Sequence, residues 1–338
     1  MASILSFFVT FVTTPVFIDF LKNVGITGND LMKKDKRDVP EMGGPCVLIG
    51  FLAGIFFFIG VEIFIYGDSL GNLLGLFASI STILIIEIIG MFEVLTSLIK
   101  ERGGSGPFKD QKRKGISRWL YFIIPLPAAV PLMAVNVGTT WMVFPFIGKV
   151  NLGFLYPLVL VPFTVLTVPN ATNFLGGFNG LEAGMGSVIL FYLGVYSFLN
   201  ERLVASTLAF TFAFALLAFF RFNWYPAKIF PGDLNHIIGT VIVCVAVIGN
   251  IEKFSTLCFI PWILEAFLKL RSKFQAENYG VLQEDGTLSA PYQKIYSLTH
   301  LIMKMRRFKE SQISGILISI ELATCTLAFW LVYLTKLI

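Results

Sequence analysis

Residues 71–99 read GNLLGLFASISTILIIEIIGMFEVLTSLI, a continuous apolar run in which Glu87 and Glu93 are the only charged residues. About 20 such residues are enough for a helix to cross the hydrocarbon core of a membrane. The apolar residues are contiguous and do not alternate with polar ones, which favours a helix over a strand of a barrel. A carboxylate inside such a run costs about 3 kcal/mol on insertion scales, so both are candidate functional residues.

The composition of the whole chain extends this interpretation. Of the 338 residues, 56% are hydrophobic and 14% are charged, whereas a soluble domain carries about 25% charged residues. We therefore predict an all-α, polytopic membrane protein that forms a single domain over 1–338. The four cysteines all lie in apolar runs without CxxC spacing, so we predict buried thiols rather than a metal site or a disulfide framework.

The apolar runs predict about ten transmembrane helices. The first run has no small-residue cleavage site, which indicates a retained helix and not a cleaved signal peptide. The predicted spans are 3–22, 46–66, 71–99, 118–136, 151–168, 185–199, 203–220, 236–250, 252–270 and 311–337.

Positive charge is distributed unequally between the two sets of connections. With Met1 outside, the loops predicted to be inside hold 19 Lys and Arg residues, whereas the opposite face holds four. Such an excess marks the cytoplasmic side, so we predict that the active site lies in cytoplasmic loops. The net charge of +5 is explained by this topology, and we expect no nucleic-acid partner.

The stretch VPNATNFLGGFNGLEAG, residues 168–184, turns polar at the junction of two predicted spans. Its polar side chains could cap the helix ends and bond to one another. Alternatively, they could offer donors and acceptors to a polar ring and an oxygen to a hard cation. No GK[ST] follows the glycines, so the stretch is not a P-loop. The candidate residues are Asn170, Asn173, Asn179, Gly180 and Glu182.

A second polar stretch, NWYPAKIFPGD, spans residues 223–233 and ends on Asp233. This carboxylate could be a simple N-cap of the following helix. It could equally bind Mg²⁺, which takes one or two protein oxygens besides phosphates and water. We expect His236 to be a hydrogen-bonded bystander. In the first inner loop, Lys34 and its charged neighbours are either a topology signal or the border of an anionic site.

Of the two acids in the third span, we prefer Glu93 as the functional one, because it lies nearer the inner surface. Six residues separate it from Glu87, so the two do not share one face of a helix. Lys114 and Arg118 follow in a basic, glycine-rich loop that we expect to attract phosphate.

NATNFLGGFNGLEAG, NWYPAKIFPGD and KKDKRDVPEMGG resemble the signature loops of the polyprenyl-phosphate N-acetylhexosamine-1-phosphate transferases, glycosyltransferase family 4. The similarity is greatest to the eukaryotic and archaeal enzymes that make dolichyl-diphosphate GlcNAc, and it covers nearly the whole chain. It implies transfer of GlcNAc-1-phosphate from UDP-GlcNAc to a polyprenyl (dolichyl) phosphate, with release of UMP. That reaction is the first step of lipid-linked oligosaccharide assembly for N-glycosylation.

The resemblance also implies roles for single residues. Asn173 and Asp233 would ligate Mg²⁺, for which Mn²⁺ could substitute, and Asn179 with the backbone at Gly180 would hold the uracil. Basic residues would hold the diphosphate and the sugar, and the family implies a catalytic role for the acid of the third span. The acid is Glu93, and the basic candidates are Lys114, Arg118, Arg271, Lys273 and His300.

Two features depart from the family pattern. Relatives carry an Asp-Asp pair at the inner end of the third span, where this chain has Phe92-Glu93, and a Lys before the fourth span, for which Lys114 and Arg118 compete. In the last inner loop, relatives have an Arg-His-Arg cluster. This chain offers Arg271 and Lys273, which we favour by position, or His300 near the basic residues Lys304, Arg306 and Arg307.

Two other functions remain open. One is a related transferase of different sugar specificity, or a relative that binds without turnover. The other is a transporter, although the polar clusters lie at helix ends and no repeat relates the two halves. The resemblance further implies a homodimer and an integral protein of an archaeal plasma membrane or, less favoured, of the endoplasmic reticulum.

Overall fold

The structure is a computed structural model that describes residues 1–34, 37–67, 71–102, 123–135, 141–144 and 148–335. Within these ranges it is a helical bundle with three short two-stranded antiparallel ribbons. The helices, numbered in chain order, are α1 (Ala2–Val24), α2 (Gly44–Val61), α3 (Gly71–Arg102), α4 (Val130–Ala134), α5 (Val161–Phe174), α6 (Leu181–Leu199), α7 (Leu203–Asn223), α8 (Leu234–Gly249), α9 (Glu252–Cys258), α10 (Ile260–Leu270), α11 (Leu298–Met305) and α12 (Glu310–Thr335).

Short helical turns and the three ribbons lie between the helices or at their ends. A π-helical turn, Glu62–Tyr66, prolongs α2, and another, Tyr156–Leu160, leads into α5. A 3-10 turn at Leu126–Ala129 leads into α4. The ribbons pair β1 (Thr27–Asn29) with β2 (Asp38–Pro40), β3 (Trp141–Phe144) with β4 (Gly148–Asn151), and β5 (Val281–Leu282) with β6 (Leu288–Ser289).

Seven helices among the described residues are long and apolar enough to cross a membrane. This confirms the predicted helical membrane protein, whereas the count of ten stays a prediction. The seven segments are Ala2–Val24, Gly44–Tyr66, Leu73–Leu95, Tyr156–Phe174, Leu181–Leu199, Leu203–Asn223 and Glu310–Tyr333.

The remaining predicted spans differ for identifiable reasons. The eighth corresponds to α8, whose 16 residues extend only about 24 Å at 1.5 Å per residue. The ninth, 252–270, is two helices, α9 and α10, because Pro261 cannot donate a backbone hydrogen bond and begins a new helix after Phe259. Residues 123–135 of the fourth predicted span, 118–136, are described, and they form the 3-10 turn Leu126–Ala129 and the short helix α4.

Helix α8 lies at the centre of the bundle. Fourteen of its sixteen residues are buried, as expected for a helix that is apolar on all sides. Helices α3, α5 and α7 pack around it. Helices α1 and α12 lie at the periphery and expose large apolar side chains such as Phe8 and Trp330, which suits contact with lipid chains. Asp233, directly before α8, is therefore held at the centre of one end of the bundle.

Two boundaries near the polar stretch 168–184 differ from the prediction. Helix α5 continues through Pro169 to Phe174, and α6 already begins at Leu181. Close packing against α8 supports this extension, since a Cβ on Gly239 would lie 2.6 Å from the Cα of Pro169. Asn170 and Asn173 consequently belong to the last turns of a helix rather than to a loop.

All four cysteines are buried and carry free thiols. This agrees with the prediction that they serve as small apolar side chains.

Close contact between α1 and α2 depends on glycine. A Cβ on Gly50 would lie 2.7 Å from the carbonyl oxygen of Ser6, and a Cβ on Gly54 would lie 2.7 Å from that of Ala2. These neighbours are backbone atoms of a packed helix, which cannot move aside as a flexible side chain can.

We expect Gly50→Ala to lower the denaturation temperature in detergent by several degrees, since overpacking costs about 1–3 kcal/mol. Gly60→Ala in the same helix is the matched control, because a Cβ there meets nothing within 4 Å and alanine favours helix. Thermal denaturation followed by size-exclusion chromatography measures both. Equal denaturation temperatures for the two variants would contradict the proposed close packing.

Candidate active site

Connections from four parts of the chain meet at one end of the bundle around a cavity of about 400 Å³, which we call the polar cavity. The segments that line it are 29–32, 173–179, 230–232 and 274–279. All four segments belong to loops that the distribution of charge predicts to lie on one side of the membrane; the last of them, 274–279, is part of the loop 271–310. The structure brings all four to the same end of the bundle.

Asp233 lies beside this cavity at the start of α8. Its Oδ1 accepts a hydrogen bond of 3.0 Å from the backbone N–H of Gly44, and its side chain makes no capping hydrogen bond to α8. The side chain is 2% exposed, and Oδ2 has no hydrogen-bond partner among the described residues. Burial raises the pKa of this carboxyl, although the Gly44 N–H opposes the shift. The N-cap interpretation therefore does not explain Asp233.

Glu87 from α3 lies against Asp233. A Cβ on Gly44 would lie 2.7 Å from Asp233 Oδ1 and 2.7 Å from Glu87 Oε2, so the two carboxyl groups border the same glycine. Sequence reasoning noted Glu87 but preferred Glu93, because it judged depth along the helix without knowing which face of α3 meets α8.

Glu93 takes a different position, on a second cavity of about 340 Å³ that we call the acid cavity. Its Oε2 lies 3.3 Å from Nε2 of His236. Asn170 and Asn173 also line this cavity. Glu93 and Asn173 thus line the same cavity, and the polar partner of His236 is Glu93.

The amides of α5 are held by short-range bonds. Asn170 Nδ2 donates to the carbonyl oxygen of Leu166 at 2.6 Å, within its own helix. Asn173 Oδ1 accepts from Asn235 Nδ2 at 3.4 Å, which ties it to α8 two residues beyond Asp233. Thr172 Oγ1 donates to the backbone oxygen of Asn235 at 2.7 Å and fixes the same contact. Asn235 was not singled out from the sequence, because its place beside Asn173 depends on tertiary packing.

The turn between α5 and α6 relies on two glycines with positive φ. Gly177 has φ 118°, and a Cβ there would lie 2.9 Å from the ring of Tyr279. Gly180 has φ 78° and its N–H donates to Asn223 Oδ1 at 3.1 Å. Glu182 Oε1 accepts from the N–H of Gly177 at 2.6 Å. Part of this stretch therefore does bond to itself, as the alternative interpretation expected.

Asn179 is fixed by a buried ionic cluster that we call the Lys33 cluster. Its N–H donates to Glu310 Oε1 at 2.9 Å and its Nδ2 donates to Asp30 Oδ2 at 3.2 Å. Lys33 Nζ lies 2.8 Å from Asp30 Oδ2 and 2.6 Å from Glu310 Oε2. Burial disfavours the ammonium, but Glu310 and Asp30 outweigh it and raise the pKa of Lys33. The cluster therefore orients Asn179 from two other segments, the first inner loop and the start of α12.

The other predicted cationic residues lie away from this cavity lining. Lys34 is exposed, and its Nζ donates to the carbonyl oxygen of Glu284 at 2.9 Å. Arg271 and Lys273 are exposed after α10. His300 is fully buried, and burial, with the nearby Lys269, lowers its pKa to about 4, so the imidazole is neutral near pH 7. Their proposed roles in substrate binding stay predictions.

Lys269 is the lysine of α10 that lines the polar cavity. Its Nζ donates to the carbonyl oxygen of Ala276 at 2.6 Å. The sequence offered a signal for it, since it stands two residues before Arg271, but the phase of α10 was needed to choose between them. Lys114 and Arg118 lie outside the described residues.

A third cavity, of about 620 Å³, is lined mainly by apolar side chains of α5, α8, α9 and α10, and we call it the apolar groove. Asn170, Phe174 and Phe274 line both this groove and the acid cavity. Phe174 and Phe274 also line the polar cavity, and their ring centroids are 5.0 Å apart. The three cavities therefore meet at this aromatic pair.

Comparison with known proteins identifies the family to which the chain belongs. The family described as glycosyl transferase family 4 matches residues 76–250, just over half of the chain. That segment contains Glu87, Glu93, Asn173, Asn179 and Asp233. The chain belongs to glycosyl transferase family 4.

Three relatives illustrate the relationship. A protein of Saccharolobus solfataricus is 32% identical over 94% of this chain and 92% of its own length, and its provisional name is UDP-N-acetylglucosamine–dolichyl-phosphate N-acetylglucosaminephosphotransferase. The protein of that name in Dictyostelium discoideum is 24% identical over 75% of this chain and 67% of its own length. A phospho-N-acetylmuramoyl-pentapeptide-transferase of Streptococcus thermophilus is 25% identical over 98% and 96% respectively. The chain is an enzyme of the phosphotransferase class.

The Lys33 cluster provides a test of how the site is held. Lys33→Met would leave Asp30 and Glu310 as buried carboxylates without their cation, and breaking a buried pair in this way costs about 3–5 kcal/mol. We expect a clear loss of thermal stability in detergent. Lys34→Met, which changes an exposed neighbour, should be close to the unmodified protein. If both variants denature at the same temperature, the cluster does not support the site.

Proposed function

We propose that this enzyme transfers GlcNAc-1-phosphate from UDP-GlcNAc to a polyprenyl (dolichyl) phosphate, giving polyprenyl-diphosphate-GlcNAc and UMP. One observation carries the proposal: a polar cavity lined by Gly232 and Asn235, the neighbours of the buried Asp233, meets an apolar groove at Phe174 and Phe274. A reaction between a nucleotide sugar and a lipid phosphate needs a polar and an apolar binding region that share a border.

The polar cavity suits the nucleotide sugar. Buried acceptors without hydrogen-bond partners among the described residues include Asn235 Oδ1, Asn278 Oδ1 and Glu182 Oε2, and unsatisfied buried polar groups call for a polar ligand. Asn278 Nδ2 joins this wall to the turn by donating to the carbonyl oxygens of Phe174 and Gly176. Asn179 holds its position through the Lys33 cluster, which supports a role for that turn in binding the uracil.

The residues present also fit a divalent cation. Asp233 Oδ2 is a buried carboxylate oxygen without a hydrogen-bond partner in the described part of the chain, and hard cations such as Mg²⁺ or Mn²⁺ prefer such oxygens. Asp233 and Asn173 would hold the ion beside the diphosphate. When bound, the ion neutralises charge that builds on the phosphoryl group during transfer.

The apolar groove suits the lipid acceptor. It is bordered by Phe163, Ala246, Ile263 and Ala266 from three helices and reaches Asn170. A polyprenyl chain in this groove would place its phosphate near the acid cavity and the polar cavity. Its tail would remain in the hydrocarbon region of the membrane.

The proposed positions of the two substrates determine which bond forms and which breaks. An oxygen of the lipid phosphate attacks the phosphorus that carries GlcNAc, and the bond from that phosphorus to the bridging oxygen of UMP breaks. The walls of α3, α5 and α8 hold the two reactants in place and limit access of water, which favours transfer over hydrolysis. Glu93, paired with His236, faces the same space and is available to orient the acceptor.

The cellular setting follows from the charge distribution. Because the inner loops carry 19 Lys and Arg residues against four on the other face, the proposed site faces the cytoplasm. We propose an archaeal plasma membrane as the location, N-glycosylation as the process served and a homodimer as the assembly.

A different sugar donor is the second candidate. The similarity to phospho-N-acetylmuramoyl-pentapeptide-transferase covers 98% of this chain, so the overall architecture also suits a related sugar phosphate. Donor identity is therefore part of the test.

We expect purified protein in liposomes to form lipid-linked label from UDP-[¹⁴C]GlcNAc and dolichyl phosphate in the presence of Mg²⁺, with no label after chelation. Asp233→Asn should lower the rate by about a hundredfold or more, as removal of a charge-stabilising group does, with unchanged elution on size exclusion. UDP-MurNAc-pentapeptide offered in parallel tests the second candidate. Absence of labelled lipid with every donor, while a bacterial relative works in the same assay, would refute the function.

The apolar groove can be tested with Ala266→Trp, which fills the groove from α10. We expect a rise in the KM for dolichyl phosphate and little change in the KM for UDP-GlcNAc. Leu264→Trp is the matched control, since Leu264 lies on the same helix, is exposed and does not line the groove. Equal acceptor KM values for the two variants would place the lipid elsewhere.

A further inference from the structure

Glu87 is a buried carboxylate that the proposed reaction has not yet used. It is 3% exposed, and neither Oε1 nor Oε2 has a hydrogen-bond partner among the described residues. It lies within Leu73–Leu95, a helix apolar enough to cross a membrane. A carboxylate in that setting costs about 3 kcal/mol on insertion scales, so its presence calls for an explanation.

The carboxyl group of Glu87 faces that of Asp233. The two groups are close enough to share a hydrogen bond when one of them carries a proton. Apart from each other, three of their oxygens have no hydrogen-bond partner among the described residues: both of Glu87 and Oδ2 of Asp233. Within the described residues, neither group forms an ion pair with a lysine or arginine. The nearby His236 lies against Glu93.

Two glycines allow this approach. A Cβ on Gly44 would lie 2.7 Å from an oxygen of each carboxyl group, and a Cβ on Gly90 would lie 3.0 Å from Cβ of Asp233. Any side chain at Gly44 would enter the space between the two acids. The backbone of α2 and that of α3 therefore form a cradle around the pair.

We propose that Glu87 is a second carboxylate ligand, with Asp233, of the divalent cation at this site. The inference rests on the proposed function, because it takes the cation from there and adds a residue to its coordination. Two hard, anionic oxygen donors raise affinity for such a cation, and the cation in turn compensates both buried charges. Relatives carry two adjacent acids where this chain has Phe92-Glu93. Glu87 would thus supply the second acid that is missing at position 92.

The simplest competing explanation is a protonated Glu87 that only fills space. Glutamine has nearly the same shape as a neutral glutamic acid, so Glu87→Gln separates the two explanations. A neutral filler would tolerate this change, whereas a ligand that binds through its charge would not.

The test measures Mn²⁺ binding to the full chain in nanodiscs by electron paramagnetic resonance, with and without UDP. We expect Glu87→Gln to weaken Mn²⁺ binding at least about tenfold, a loss that even outer-shell partners of metal ligands produce. Asp233→Asn should weaken it as well. Glu321→Gln is the matched control: Glu321 is a fully buried glutamate of α12 with Oε2 unpartnered and Oε1 bonded to Cys325.

The outcomes are distinct. Mn²⁺ affinity in Glu87→Gln equal to that of the unmodified protein and of Glu321→Gln overturns the inference and leaves a neutral filler. Lack of saturable Mn²⁺ binding by the unmodified protein, with and without UDP, overturns it too. If Glu87→Gln does not fold, Glu87→Asp keeps the charge on a shorter side chain, and its Mn²⁺ affinity should fall below that of the unmodified protein; unaltered Mn²⁺ affinity in this variant would contradict the inference.

Transfer activity measured on the same preparations separates this inference from the proposed function. Normal transfer by the unmodified protein together with unaltered Mn²⁺ binding in Glu87→Gln removes only the role of Glu87. Lack of transfer with intact Mn²⁺ binding removes the proposed reaction and leaves the cation site.

Discussion

The burial of Asp233 and Glu87 side by side at one end of an apolar bundle is the constraint on which the arrangement of the site depends. Charged oxygens removed from water are costly unless something compensates them. Only one of the four oxygens, Asp233 Oδ1, receives a described hydrogen bond, from the N–H of Gly44. Helices α2, α3 and α8 can approach this closely because glycine occupies positions 44 and 90. The proposed divalent cation would compensate both carboxylates.

The surrounding cavities follow from the same packing. Helix α8 is buried on nearly all sides, and Gly232 and Asn235, which flank Asp233 in sequence, line the polar cavity. Helix α5 continues past Pro169 and brings Asn173 against Asn235, and the Phe174–Phe274 pair separates polar from apolar space. Substrates of opposite polarity can therefore approach one point from two directions, which is what transfer from a nucleotide to a lipid requires.

Much of this could be predicted from the sequence, and the limits have physical causes. Apolar runs predicted the membrane helices, and charge asymmetry predicted which loops share one side. Polar residues in glycine-rich breaks indicated Asn173, Asn179 and Asp233 as candidates, and the structure places the first two in the lining of the polar cavity. Glu87 was set below Glu93 because the sequence shows only depth along α3. The rotation of α3, which places Glu93 beside His236 and Glu87 beside Asp233, depends on tertiary packing. Lys269, Asn235 and the Lys33 cluster depend on contacts between distant segments, such as Lys33 with Glu310, for which local patterns carry no signal.

In the proposed reaction the cation, the diphosphate and the lipid phosphate meet beside Asp233. Anomalous diffraction from crystals grown with Mn²⁺ and UDP would locate the ion directly. The account predicts one manganese peak between Asp233 Oδ2 and the carboxyl group of Glu87, on the side that opens to the polar cavity. A manganese peak remote from Asp233, for instance at Asp30 and Glu310 in place of the Lys33 ammonium, would contradict it.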